Sequence, residues 1–313
     1  MSNIEKPVYL EEKLEEIQDS GRLEYRSKSL PTWCPGCGYF AIVEGMTTAM
    51  NNLSIDPDET VVVSGIGCAS RFPFFVNTYG FHTLHGRALP VATGIKVANE
   101  DLTVIAIGGD GDAFAIGGAH IPHAARRNVD MTYILFDNGI YGLTKGQTSP
   151  TSVLDFQTPT SPFGNHDVPL NPLMMLLSYS ASWIGQAYAG HPHHMAELIE
   201  QALAHRGFSY LHVLSPCVTF DKTTMTYKNL DMSVRALPLD HDTGDLMAAM
   251  AQARKTTAPG LGCYFEESRP TLGDGLNDIA LCAQSKCKGG KVAKAKKSRT
   301  KKAAKAPPRR AAE

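Results

Sequence analysis

Four short apolar runs constrain this chain more than any other feature: TVVVSGI (60–66), LTVIAIGG (102–109), MTYILFDN (131–138) and SYLHVL (209–214). Two are almost unbroken in apolar residues, as strands covered on both faces require. Segments with helical spacing alternate with them: YFAIVEGMTTAM (39–50), AIGGAHIPHAARR (115–127) and HMAELIEQALAHR (194–206). Strands alternating with helices predict an α/β fold, a doubly wound, mostly parallel sheet with helices on both faces. Ligands of such sheets sit beyond the carboxyl ends of the strands. Segment 144–171, rich in Pro, Thr and Ser, reads as one long loop.

The 313 residues are 43% apolar and 19% charged, enough for a sizeable core. No apolar stretch is long enough to span a bilayer, so no membrane role is expected. The N-terminus, MSNIEKPVYLEEKLEEIQ, is acidic, lacks an apolar core and does not read as a secretory signal. A cytoplasmic location follows, where cysteines serve as ligands or catalysts more often than as disulfides. Charge is unevenly spread. From Lys286 onward lie 12 of the 30 basic residues and one of the 31 acidic ones, leaving 18 against 30 elsewhere. That tail has almost no large apolar side chain and is expected to be disordered. It could contact an acidic partner or be merely solvated, and nucleic acid is not the expected partner. The expected division is an N-terminal extension (1–24), a main domain (25–220), a less regular extension packing on the core or on a partner (221–285) and the basic tail (286–313).

Two polar clusters follow neighbouring predicted strands. LTVIAIGG runs into Asp110-Gly111-Asp112, and MTYILFDN ends in Asp137-Asn138 before Gly-Ile-Tyr-Gly. A carboxylate, an amide oxygen and backbone carbonyls suit magnesium shared with a phosphate. Glycines let the backbone approach a diphosphate. The same spacing fits two ordinary Asx turns equally well. Neither a Walker A motif nor a dinucleotide fingerprint is present, and Phe114 spoils an EF-hand reading. WCPGCG brings a Cys-x-x-Cys pair, Cys34 and Cys37, which alone fits half a zinc site, a redox dithiol or part of an iron–sulfur nest.

Gly109-Asp110-Gly111 followed by Asp137-Asn138 resembles the thiamine diphosphate motif GDG…NN, with Asp137 in place of the first Asn. The longer stretches GDGDAFAIGGAH…DNGIYGLTKGQTSPTS and WCPGCG…GIGCASRFPFF…HTLHGRALPVATGIKVAN resemble the β subunit of 2-oxoacid:ferredoxin oxidoreductases, over roughly residues 25–220. The family's usual Asn after IGG is Ala119 here. The resemblance implies the diphosphate-domain type of sheet, thiamine diphosphate and Mg²⁺. Asp110, Asn138 and the Ile140 carbonyl would bind the metal. Gly111, Asp112, Gly142 and Leu143 would line the diphosphate, and Gly65, Ile66, Gly67, Cys68 and His85 the rest of the cofactor.

The resemblance also implies one [4Fe–4S] cluster on Cys34, Cys37, Cys68 and Cys217, a four-thiolate complement. A zinc site on the same cysteines is the chemical rival. Cys263, Cys282 and Cys287 match no ligand motif. The implied reaction is oxidative decarboxylation of a 2-oxoacid with coenzyme A, electrons passing through the cluster to ferredoxin. Arg71, Leu143 and Lys145 are the expected substrate contacts. Two basic groups favour a dicarboxylate, so 2-oxoglutarate leads and pyruvate follows. A non-oxidative decarboxylase and a zinc-stabilised binding protein are the competing readings. The chain offers no second α/β unit to cover the cofactor's pyrimidine, so an α subunit with the activating Glu is expected. The histidines of HPHH (191–194) are expected to cap a helix, and His120 and His123 to pack or hydrogen-bond.

Overall fold

The computed structural model describes residues 25–284; the N-terminal extension, the basic tail and Cys287 lie outside the described residues. The described residues up to Gly275 form one compact unit. From Leu276 a second unit begins, whose described part continues a helix, α9 (Leu272–Gln284).

The four apolar runs become strands β1 (Thr60–Ser64), β3 (Thr103–Gly109), β4 (Met131–Asp137) and β8 (Phe208–Leu214). They join β2 (Tyr79–His82), β7 (Trp183–Tyr188), β9 (Arg235–Ala236) and β10 (Gly260–Glu266) in an eight-stranded sheet ordered β2-β1-β3-β4-β8-β7-β10-β9. The pairs from β2 to β7 are parallel, and β10 is antiparallel to β7. Segment 221–275 therefore contributes strands to the same sheet. A separate ribbon pairs β5 (Ile140–Tyr141) with β6 (Gln147–Thr148).

The sheet has a core on each face, because strand side chains alternate. Val62, Ile105, Ile107, Ile134 and Phe136 pack beneath α1 (Tyr39–Asn52) and α6 (Pro192–Ala204). Val61, Val63, Val104, Ala106 and Leu135 face α2 (Ala88–Ala98), α4 (Ile121–Arg126), α5 (Pro172–Ser178) and α8 (Leu246–Ala253). The result is a three-layer α/β/α sandwich, in agreement with the predicted fold class.

Two local expectations are corrected. The helix expected over 115–127 is shortened: α3 (Asp110–Phe114) ends before it, residues 115–120 form turns, and α4 covers only Ile121–Arg126. The reason is close backbone approach. A Cβ on Gly117 would lie 2.5 Å from the Asp112 carbonyl, and one on Gly86 would lie 2.5 Å from the Gly117 nitrogen. Chain packed that tightly cannot also carry helical side chains. His191 occupies the N-cap of α6 but gives no side-chain cap bond. Helix α7 (Tyr227–Ser233) is instead capped by Thr226. The 144–171 loop is not a loose excursion, since Thr151, Ser152, Phe156 and Asn165 are buried. Among the described residues, no helix is long and apolar enough to cross a membrane.

Candidate functional site

The carboxyl ends of parallel strands share one edge of the sheet, so the segments after β1, β2, β3 and β4 meet there. They surround a cavity of about 560 Å³, within the usual range for a cofactor site. It is lined by Ile66, Gly67 and Cys68 after β1, His85 after β2, Asp110, Gly111 and Asp112 after β3, and Asn138, Ile140, Gly142 and Leu143 after β4. Tyr39, Tyr141, Thr144 and Gln147 complete much of the wall, and the sequence had not singled them out.

Asp110 is fully buried at the end of β3, and burial first, then the neighbouring Asp137, pushes its carboxyl up to about 7. Thr151 Oγ1 lies 3.0 Å from Asp110 Oδ2 and 2.8 Å from Asp137 Oδ1. A hydroxyl has one proton, so it cannot donate to both carboxylates at once. Two carboxylates held this way favour an added cation, which would offset their repulsion. Asp137 also accepts the Gly139 amide at 3.0 Å, and its other oxygen lies 2.8 Å from His212 Nε2. His212 Nδ1 is 2.8 Å from Gln186 Oε1, and Gln186 Nε2 donates to the Gly260 carbonyl at 2.8 Å. The Asp in place of the motif's first Asn is thus bonded to a histidine 75 residues away.

Asn138 is oriented from both ends. Its Oδ1 accepts the Ile140 amide at 3.2 Å, and its Nδ2 donates to the Tyr39 hydroxyl at 2.9 Å. One lone pair of Oδ1 stays available to a metal. Asp112 takes a different part. Its Oδ1 accepts from the Ile66 amide at 2.9 Å, the Gly86 amide at 2.7 Å and His85 Nδ1 at 2.7 Å. It ties the loops after β1 and β2 to the start of α3. Gly65 is not in the wall of the cavity; it lies against the Asp112 carboxylate, where a Cβ would come within 2.0 Å of Oδ2. Gly111 is required by the Tyr141 ring, 2.2 Å from the position of a Cβ, while the Tyr141 hydroxyl donates to the Gly111 carbonyl at 3.0 Å.

The four expected cluster cysteines come together beside this cavity. A Cβ on Gly142 would stand 3.5 Å from Cys68 Sγ and 3.9 Å from Cys217 Sγ. Burial pushes the Cys37 thiol up to about 12, and Cys217, Cys68 and Cys34 add repulsion. Burial also raises Cys68, with Cys217 and Cys34 contributing and Arg71 opposing. The Trp33 indole donates to the Cys68 carbonyl at 2.8 Å, fixing one cysteine loop to the other. Among the described residues, no three His, Cys, Asp or Glu side chains converge closely enough to hold a single metal ion.

Of the expected substrate contacts, Leu143 lies in the cavity wall and is half exposed. Arg71 sits in the short turn after Cys68, its amide bonded to the Cys68 carbonyl at 3.4 Å. Lys145 is exposed at a left-handed position (φ 76°) two residues beyond Leu143. Neither Arg71 nor Lys145 lines the cavity. Cys263 is partly buried against the core and Cys282 is exposed, both outside the site.

Residues 65–213 match the model for the thiamine pyrophosphate enzyme C-terminal TPP binding domain. Residues 217–280 match that for the C-terminal part of the pyruvate ferredoxin oxidoreductase β subunit. Subunit β of 2-oxoacid:ferredoxin oxidoreductase 2 from Aeropyrum pernix is 43% identical over 199 residues, covering 64% of each chain. The 2-oxoglutarate oxidoreductase subunit KorB of Mycobacterium tuberculosis is 43% identical over 198 residues, covering 63% of this chain and 53% of that one. The chain thus spans 53–64% of the length of these two relatives. A solved structure of 2-oxoglutarate:ferredoxin oxidoreductase from Magnetococcus marinus, with 2-oxoglutarate, coenzyme A and succinyl-CoA bound, superposes with a TM-score of 0.82. Its identity is 48%, over 84% of this chain and 90% of that chain.

Proposed function

Because this chain belongs to the family of 2-oxoacid:ferredoxin oxidoreductase β subunits, we propose that it supplies the diphosphate half of a thiamine diphosphate site and one [4Fe–4S] cluster to an α–β enzyme. The observation that carries the reading is adjacency. Asp110, Asn138 and the four cysteines occupy one edge of the sheet, with Gly142 packed against Cys68 and Cys217 and lining the same cavity. When bound, thiamine diphosphate supplies the electron sink for decarboxylation, and the cluster supplies a one-electron acceptor beside it.

In this reading Asp110, Asn138 Oδ1 and the Ile140 carbonyl hold Mg²⁺. The glycine backbone at 111 and 142 admits the diphosphate, and Asp112 secures the walls through Ile66, Gly86 and His85. Cys34, Cys37, Cys68 and Cys217 would bind iron as thiolates, and burial raises the Cys37 and Cys68 thiols, so loading would release protons there. Zinc on the same four cysteines is the rival that metal content decides.

The preferred 2-oxoacid is 2-oxoglutarate, supported by the KorB relative and by the Magnetococcus enzyme, with pyruvate the alternative. Arg71 and Lys145 would attract the substrate's carboxylates and Leu143 would bound its carbon chain. Coenzyme A and ferredoxin are the co-substrates, in the cytoplasm. An α subunit would overlie the pyrimidine and supply the activating Glu, a reading supported by the relatives being β subunits and by the one large sheet among the described residues.

Anaerobic purification tests the proposal. The chain alone should hold about four irons yet reduce no ferredoxin or viologen with any 2-oxoacid, and its partner should restore turnover. Turnover by the isolated chain, with the partner excluded by mass spectrometry, would refute the two-subunit site. Zinc in place of iron would refute the cluster.

A further inference from the structure

Tyr39 belongs to both halves of the site. It is the first residue of α1, directly after the CPGCG loop. The next residue's amide, that of Phe40, donates to the Cys37 carbonyl at 3.3 Å and closes the loop onto the helix start. The Tyr39 hydroxyl accepts from Asn138 Nδ2 at 2.9 Å, a buried contact between residues 99 positions apart. The ring is wedged edge-on to Trp33 (centroids 5.7 Å) and tilted against Phe136 (5.1 Å), and it is 2% exposed. With the ring packed in this way and its backbone two residues from Cys37, the hydroxyl's position depends on the order of the cysteine loop.

The hydroxyl and the Ile140 amide together fix which way Asn138 faces. The Ile140 amide needs an acceptor, so Asn138 Oδ1 must point toward it. Nδ2 then points to the Tyr39 oxygen, a well-matched donor and acceptor. Without that oxygen, Nδ2 is a buried donor lacking its partner, and the Ile140 amide alone opposes rotation of the carboxamide. Rotation takes Oδ1 away from the metal position.

We propose that Tyr39 is a positioning residue coupling the two cofactor sites: an ordered Cys34–Cys37 loop holds Asn138 in its metal-binding orientation, so cluster loading tightens Mg²⁺–thiamine diphosphate binding. The inference rests on the cofactor assignment above. Coupling is reciprocal, so bound Mg²⁺–thiamine diphosphate also protects the cluster.

The test uses the full-length chain in its anaerobically purified complex, with Mg²⁺ and thiamine diphosphate as probes. Tyr39→Phe keeps the ring's packing and removes only the hydroxyl. Affinity for thiamine diphosphate is measured by titration calorimetry before and after the cluster is stripped with a chelator. In the wild type, stripping should weaken binding roughly tenfold, the scale of a buried donor left unpaired. Tyr39→Phe should retain full iron, bind thiamine diphosphate roughly tenfold more weakly at the outset, and change less than about twofold on stripping. Unaltered affinity in Tyr39→Phe, or equal weakening of both proteins on stripping, would overturn the coupling. If stripping dissociates the complex, iron release to a chelator gives the reverse reading. Saturating Mg²⁺–thiamine diphosphate should slow release in the wild type but not in Tyr39→Phe, and equal slowing in both would overturn it. Wild type that binds no iron or no thiamine diphosphate would instead refute the cofactor assignment, and this inference with it.

Discussion

Gly65→Ala is a one-methyl change whose effect can be worked out from the site. Gly65 is buried after β1, and its backbone is not left-handed, so alanine meets no conformational penalty. The obstacle is Asp112. The added carbon would stand 2.0 Å from Oδ2 and 2.5 Å from both Oδ1 and Cγ, closer than nonbonded carbon and oxygen approach in proteins. The carboxylate must therefore move, and the same carboxylate accepts from Ile66, Gly86 and His85. Each hydrogen bond to a charged group contributes about 1.5–3 kcal/mol. Losing one or two of them gives an expected destabilisation of roughly 3–5 kcal/mol, or a fall in Tm on the order of 10 °C. Affinity for thiamine diphosphate should fall as well, since two walls of the cavity lose their common anchor. Gly94→Ala, inside α2 with nothing within 4 Å of its Cβ position, is the control. It should stabilise by about 0.5–1 kcal/mol. Urea unfolding midpoints at constant m-value report both changes. A loss below about 0.5 kcal/mol in Gly65→Ala, with unchanged cofactor affinity, would refute the role given to Asp112.

Cys217→Ala should lose or degrade the cluster and abolish ferredoxin reduction, as read by iron content and EPR; full iron with full activity would remove Cys217 from the ligand set. In metal-free protein the Asp110 carboxyl is raised to about 7 in the folded state from its ordinary 3.8, so the native state holds the proton that the unfolded state has released. Stability should therefore fall as pH rises from about 4 to about 7. Asp110→Asn should flatten that part of the profile, and an identical profile in both proteins would contradict the assignment. Arg71→Ala should raise the KM for the 2-oxoacid more than that for coenzyme A, and equal changes would leave Arg71 without a substrate role. Deleting residues from Lys286 onward should leave the fold intact and weaken ferredoxin association most at low salt, where screening is least. Salt-independent association in both forms would exclude the tail from that encounter.

Short apolar runs at β1, β3, β4 and β8 were legible because strands buried on both faces must be apolar at nearly every position. That pattern was enough to predict the sheet class and to place Asp110 and Asn138 at one edge. Strand β2 escaped notice because all four of its residues are exposed, leaving no burial pattern to read. The residues between Phe114 and Ile121 misled, since an apolar, alanine-rich stretch has helical spacing whether or not Gly86 needs the space beside Gly117. Residue types suited to metal, cluster and diphosphate could be listed from the chain. Their division of labour could not: Asp112 among three donors, Asp137 against His212, and Tyr39 beneath Asn138 each depend on partners from other loops. Local sequence determined which segments became strands, and therefore which residues reached the carboxyl edge. Tertiary structure decided what each side chain faces there, because a hydrogen bond is set by direction and distance between groups that only folding brings within about 3 Å.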